Sequence, residues 1–370
     1  MLPQRILICP LDWGLGHATR CIPLIRELKY SGAEVVIASD GLQLALLREE
    51  FPDTEFIRLR GYNVKYSHST GAAIKILFEI PRIAFKVLQE HIRLKKIIRE
   101  YRISGVISDN RYGLWNKQVK TIFITHQLNL IAPGIFSISG LLLRWAVRFF
   151  ARQFDECWIP DSASQENLSG KLSHGYKLPS NTRFIGLLSR FDLTFENGNG
   201  NGNKYDLVAL VSGPEPQRTI FENKLLAQLP LRDLRCLILR GLPGKNEITN
   251  IRKNLDIADH QNSRQLHKIL LKKPVVICRA GYSTLMDIAF TGNRAILIPT
   301  PGQTEQEYLA AMLDSKGYYV AQKQKDMNLE KALARLECNP VEKIASYHLL
   351  YPAAVRSFLQ SAQGQLQNKA

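Results

Sequence analysis

What most constrains this chain is a rhythm of short apolar runs and helical patterns that occurs twice, on either side of a stretch that cannot pack. In the first half RILIC, AEVVIAS, TEFIRL, SGVISD, KTIFIT, ECWIP and TRFIG read as strands, with helical patterns such as Thr19 to Tyr30 and LQLALLREEF between them. An alternating Asn/Gly run from Asn197 to Asn203 follows, and it costs much entropy to order. Then DLVALVS, LRCLILR, PVVICR and RAILIPT resume the pattern, separated by helices through FENKLLAQL, SRQLHKILL, STLMDIAF and EQEYLAAML. Alternation of this kind predicts α/β architecture with parallel sheets covered by helices on both faces. A length of 370 residues exceeds what one hydrophobic core usually supports, so two domains are expected. The predicted organisation is an N-terminal domain over 1–190, a linker over 191–204, a C-terminal domain over 205–345, and a terminal helix in 346–370 that crosses back. Two open α/β domains place a cleft where the carboxyl ends of their sheets meet.

Six scattered cysteines with no CxxC pair read as reduced, buried thiols of a cytoplasmic protein. MLPQRILIC runs straight into a strand with no small-residue cleavage site, so no signal peptide is expected. The uncharged run Thr121 to Leu143 contains His126, Gln127, Asn129, Pro133 and Gly134, which argues against a membrane span. The net charge of +16 is concentrated, with 17 Lys+Arg against 5 Asp+Glu in residues 55–152. Within that region 71–102 and 134–154 mix large apolar residues with Lys and Arg, a pattern that fits helices lying on an anionic membrane surface. The competing reading buries those apolar residues in the core. Nucleic acid is not an expected partner, because the interleaved residues are aliphatic rather than aromatic stacking platforms.

Two stretches carry the chemistry. CPLDWGLGHATR (9–20) is a strand, a glycine turn and a helix start. As a dinucleotide fingerprint it is poor, since Thr19 stands where the third glycine belongs, although Asp40 ends the next strand. The second stretch, VVICRAGYSTLMDIAFTGNRAILIPTPGQTEQEYLAA, turns at Gly281 into a helix whose free N–H groups suit a diphosphate. Asp287 lies one turn into that helix, placed either to accept ribose hydroxyls or to complete a capping box with Thr284.

GLGH together with RAGYST, Asp287 and TEQE resembles glycosyltransferase family 28, and more distantly the UDP-glycosyltransferase superfamily. The resemblance implies a GT-B fold of two Rossmann-like domains facing a central cleft. It implies an acceptor-side loop with Gly14 and Gly16 ending in His17, a ribose acid at Asp287, and a donor-sugar pair at Gln306 and Glu307 beside Glu305. Around the diphosphate it implies Gly281, Ser283 and Thr284, and a phosphate loop at VSGPEPQRT (211–219). There Pro214 and Pro216 each remove a backbone donor, and Ser212, Gly213, Arg218 and Thr219 are left to compensate. A proline turn that merely starts a helix is the alternative.

The implied chemistry is sugar transfer from a nucleotide donor, of the UDP-N-acetylglucosamine type, to a hydroxyl of a glycan or lipid-linked acceptor. His17 serves as general base, or it orients the acceptor while Asp12 or Asp109 takes the proton. The leaving charge falls to the RAGYST helix start with Arg279 or Arg218. No Asp-x-Asp occurs in the chain, so neither a bridging metal nor any further cofactor is expected. In-line attack inverts the anomeric centre. A UDP-sugar 2-epimerase and a non-catalytic nucleotide-sugar-binding subunit are the competing functions.

Overall fold

The computed structural model describes residues 3–61, 72–130, 137–191, 205–231, 233–242, 246–338 and 349–367. Two compact units make up the chain, one of residues 1–188 with 348–370, the other of residues 189–347. Residues 192–204 of the expected linker, and the expected boundary at 345, lie outside the described residues.

The first unit runs β1 (Arg5–Pro10), α1 (Leu15–Tyr30), β2 (Glu34–Ser39), α2 (Gly41–Glu50), β3 (Glu55–Arg58), α3 (Ala72–Glu100), β4 (Gly105–Asp109), β5 (Lys120–Ile124), α4 (Ser137–Ala151), β6 (Glu156–Ile159) and β7 (Thr182–Phe184). Its seven strands are all parallel in the order β3-β2-β1-β4-β5-β6-β7. The order reverses between β1 and β4, so their carboxyl ends open the crevice where α/β sheets bind ligands. Pro10 and Asp109 are register partners at that spot.

The second unit runs β8 (Leu207–Leu210), α5 (Gln217–Gln228), β9 (Cys236–Leu239), β10 (Thr249–Arg252), β11 (Leu255–Ala258), α6 (Ser263–Leu271), β12 (Val275–Cys278), α7 (Tyr282–Thr291), β13 (Ala295–Leu297), α8 (Thr304–Ser315), β14 (Val320–Ala321) and α9 (Leu329–Cys338). The sheet order is β10-β11-β9-β8-β12-β13-β14, parallel apart from the antiparallel β10/β11 pair. Here the reversal lies between β8 and β12, where Leu210 pairs with Cys278. Both sheets are therefore doubly wound α/β, as the alternation predicts. Strands β10, β11 and β14 were not legible: β10 is exposed along its whole length and β14 has two residues, so neither shows an apolar run.

The last helix, α10 (Tyr351–Gln367), packs on the first unit. Its Phe358 is buried edge-on against Trp158, with ring centroids 6.2 Å apart. Gly105 makes the room, since a Cβ there would sit 2.6 Å from the Phe358 ring. Burial of that one aromatic contributes about 2–3 kcal/mol. Gln4 Nε2 donates to the Leu359 carbonyl and Arg356 pairs with Glu27, which fixes the helix across the N-terminal strand and α1.

Ser189, Arg190 and Phe191 belong to the second unit rather than to the end of the first. Asp287 holds Ser189 and Arg190, and the Phe191 ring stacks on His267 at 4.7 Å. All six cysteines are unpaired, and only Cys338 is exposed. Burial pushes the Cys9 and Cys278 thiols up to about 12, so neither supplies a thiolate.

Candidate active site

In the first unit the chain turns from β1 into α1 through Gly14, whose φ of 73° is a left-handed conformation that glycine adopts without strain. Gly14 has no side chain to cap the helix, and its carbonyl instead accepts from Gln43 Nε2 at 3.1 Å. The Gly16 carbonyl accepts the Thr19 hydroxyl at 3.0 Å. This turn puts His17 in the first turn of α1, and β4 ends on Asp109 beside it. His17 Nδ1 lies 2.9 Å from Asp109 Oδ2. The imidazole side chain keeps 14% exposure while the carboxylate has none.

Two further side chains complete the cluster. Arg20, one helical turn beyond His17, donates from Nε to both Asp109 oxygens at 2.9 and 2.8 Å and from Nη2 to Oδ1. Its Nη1 reaches Nδ1 of buried His126 at 3.1 Å. Burial, then the Arg20 charge, hold the His17 pKa below the ordinary imidazole value, with Asp109 pulling the other way. Burial alone raises the Asp109 pKa, yet Arg20 and His17 bring it below the usual carboxylate value. The arrangement is an unprotonated imidazole held by an ionised carboxylate, which is what proton acceptance from a hydroxyl requires. Asp12 stands apart from this cluster: its carboxylate lies against the Cα of Gly61.

In the second unit the turn after β12 makes Gly281 the N-cap of α7, with no side-chain cap and no acid in the first turn. The amides of Tyr282, Ser283 and Thr284 therefore face the carboxyl end of the sheet with Ser283 and Thr284 half-buried beside them. Ser212 and Gly213 are exposed in the loop after β8, and Gly213 has φ of 114°. The buried hydroxyl of Thr300, which has no hydrogen-bond partner among the described residues, lies near Gly213. The α7 helix start, the glycine loop and that hydroxyl meet at the sheet's reversal point.

Several expected ligands are engaged elsewhere in this unit. Asp287 is 3% exposed and its carboxylate accepts Ser189 Oγ at 2.8 Å, the Arg190 amide at 3.2 Å and Arg190 Nε at 2.8 Å, so neither the open ribose acid nor the capping box describes it. Arg218 offers no free fork to a phosphate: Nε binds Glu215 at 2.5 Å, Nη1 binds Glu222 at 2.5 Å and Nη2 binds Thr219 at 2.8 Å. Burial works against its charge, but the two carboxylates outweigh that and raise its pKa. Pro214 and Pro216 shape the turn that starts α5, their carbonyls accepting from Arg218 and Ile220 amides. Arg279 is buried, donates to the carbonyls of Ile298, Pro299 and Gln217, and stacks 4.2 Å over Phe221. Burial lowers its pKa to about 10. Gln306 Oε1 accepts the Thr300 amide and Glu307 accepts the Gly302 amide, so this pair braces the loop before α8, with Glu305 half-buried in the same first turn.

The glycosyltransferase family 28 C-terminal domain model matches residues 221–347. The UDP-N-acetylglucosamine–N-acetylmuramyl-(pentapeptide) pyrophosphoryl-undecaprenol N-acetylglucosamine transferase of Caldanaerobacter subterraneus subsp. tengcongensis is 32% identical over 344 residues, 87% of each chain. The chain belongs to glycosyltransferase family 28. Its fold is that of GT-B glycosyltransferases. The glycotransferase of kitacinnamycin superposes with a TM-score of 0.63 at 15% identity, over 100% of this chain and 98% of that one. Spinosyn rhamnosyltransferase SpnG complexed with thymidine diphosphate gives 0.59 at 15% identity, over 98% and 96%.

This family 28 glycosyltransferase also divides α3 into two apolar faces. Val87, Leu94, Ile97 and Ile98 are buried, while Phe85, Leu88 and Ile92, at i, i+3 and i+7, are exposed. On α4, Trp145 is 64% exposed and stacks with Phe149, and Arg144, Arg148 and Arg152 flank them. Ile83 and Phe150 pack with Val87 and Leu11, which puts α3 beside α4. Among the described residues no helix is long and apolar enough to cross a membrane.

Proposed function

We propose that this glycosyltransferase moves a sugar of the N-acetylglucosamine type from UDP to a hydroxyl of a lipid-linked or cell-envelope glycan, with inversion and without a metal. The observation that carries the reading is the 2.9 Å approach of His17 Nδ1 to Asp109 Oδ2 at the β1/β4 reversal. With Nδ1–H given to the carboxylate, His17 Nε2 takes the proton of the acceptor hydroxyl. The freed oxygen attacks the anomeric carbon from the face opposite UDP, and the bond from that carbon to the diphosphate oxygen breaks, its electron pair leaving with UDP. The start of α7 and the Ser212–Gly213 loop receive that negative charge, and buried Arg279 adds its field without touching the ligand.

UDP and N-acetylglucosamine are favoured by the name of the 32%-identical relative. Work at the inner face of a cytoplasmic membrane is favoured by the exposed aromatic and basic residues of α3 and α4. Metal independence is favoured by the lack of any Asp-x-Asp in the sequence, and EDTA is expected to leave transfer unchanged.

The test is release of UDP from UDP-N-acetylglucosamine with and without a lipid-linked acceptor. Release is expected only with acceptor, and His17→Ala is expected to lower it about 100- to 10,000-fold while leaving UDP binding intact. Free UDP and an epimerised sugar without acceptor would instead establish the 2-epimerase. Full activity of His17→Ala would move the base to Asp12 or Asp109.

A further inference from the structure

One guanidinium serves a carboxylate and two imidazoles in the first unit, and its protons decide what each imidazole can do. Arginine stays protonated at any working pH and only donates. Its Nη1 lies 3.1 Å from His126 Nδ1, which accepts from it. His17 Nδ1 faces an acceptor and a donor together, Asp109 Oδ2 at 2.9 Å and Arg20 Nη2 at 2.8 Å. In one neutral tautomer Nδ1–H donates to Asp109 and Nε2 is bare, ready to take a proton. In the other, Nδ1 accepts from Arg20 and Nε2 already carries the hydrogen, so His17 cannot act as a base. Both bonds are charge-assisted, one through the carboxylate and one through the guanidinium; because Arg20 already spends Nε and Nη2 hydrogens on Asp109, the carboxylate is held in place to take Nδ1–H, the tautomer that the base role needs.

We propose that Arg20 is a positioning residue that sets the proton state of His17: it anchors the carboxylate that orders the base-competent tautomer, and its charge opposes the imidazolium. His17 then begins each turnover unprotonated and gives up its acquired proton readily. This rests on the reading of His17 as the general base. The charged and titratable groups bearing on the ring are Arg20 from its own helix, Asp109 from β4 and His126 from the loop after β5. Protonating Nε2 to form the imidazolium places a second positive charge beside the Arg20 guanidinium, whose Nη2 lies 2.8 Å from Nδ1; burial first and this charge second hold the His17 pKa below its ordinary value, with Asp109 opposing them. Sequence supplies a reason for the spacing, because residues three apart share a helix face.

The experiment is the pH profile of kcat/KM for transfer by the parent, Arg20→Met and Arg20→Lys, with circular dichroism and thermal unfolding as the check that each variant is folded. Arg20→Met is expected to lose about 100-fold in rate near neutral pH and to move the acidic limb upward, toward or past the ordinary imidazole value of about 6.5. Arg20→Lys keeps the charge without the fork, so the limb stays low while the rate still falls. A limb that stays in place in Arg20→Met, with only rate or stability reduced, makes Arg20 a mere buttress and overturns the proposal alone. Full transfer by His17→Ala overturns it together with the base assignment. If Arg20→Met does not fold, nitrogen NMR of the His17 ring in the parent decides: a protonated Nδ1 and bare Nε2 are expected, and the reverse tautomer overturns the proposal.

Discussion

Asp287 accepts the guanidinium of Arg190 at 2.8 Å, so the acid expected to hold a ribose instead fastens the first residues of the second unit onto α7. Removing one partner of such a pair strands a charge in a poorly solvated place. Asp287→Ala is expected to destabilise the protein by about 2–4 kcal/mol, less than for a fully buried pair because Arg190 keeps some solvent contact. Urea unfolding measures it. A change under 0.5 kcal/mol would mean that the pair is replaceable by water.

Stability is expected to fall in acid in two steps. His17 and His91 both have pKa values below the ordinary 6.5, each chiefly through burial. Below pH 6.5 the unfolded chain binds protons that the folded state refuses, and the balance shifts toward unfolding. Asp109 is held below 3.8 despite its burial, so its contribution is present above that pH and is lost as the pH falls through the lower folded value. Thermal unfolding across pH 3 to 8 reads both steps. His17→Asn should flatten the first, with His91 retaining part of it.

Gly241 has φ of 64°, and a Cβ there would overlap the Val211 carbonyl, a backbone atom that cannot move without shifting Ser212 and Gly213. Gly241→Ala is expected to lose stability and to weaken UDP binding together. Gly14 has a similar φ of 73°, with ψ of 159°, but open space around it, so Gly14→Ala carries only the conformational cost of about 1–3 kcal/mol. Urea melts with parallel UDP titrations compare the two, and equal losses of stability would contradict the overlap.

The parts of the fold that sequence made legible are those with a repeated apolar signal. Strands β1, β2, β4, β5 and β6 of the first sheet, and β8, β9, β12 and β13 of the second, are apolar runs that burial on both faces demands, while the edge strands β3 and β7 show as shorter, partly exposed runs. His17 was legible from its glycine loop and Asp109 from its strand end, but their meeting across 92 residues follows from β1 and β4 being neighbours. Arg20 gave no sign, since a charged helix residue reads as solvated and this one is buried. The residues around RAGYST sit at the helix start and sheet end where expected. What occupies Asp287, Arg218 and Arg279 comes from tertiary contacts that no local pattern encodes.

The exposed face of α3 and α4 supplies the last prediction. Phe85, Leu88 and Ile92 form a stripe at helical spacing that the core does not use, and Trp145 and Phe149 stand out from α4 beside three arginines. No carboxylate pairs with Arg144, Arg148 or Arg152 among the described residues, and Arg148 has its pKa lowered by burial and by the other two. Charges left mutually repelling on an aromatic face suit an anionic surface, where each contributes about 1 kcal/mol. Arg152→Gln is therefore expected to weaken binding to vesicles containing phosphatidylglycerol about fivefold. Trp145→Glu is expected to weaken it further, and both should leave the unfolding free energy within about 0.5 kcal/mol because the side chains are exposed. Cosedimentation with vesicles, with and without anionic lipid, measures the effect. Equal binding of parent and variants would leave this face with no role at a membrane.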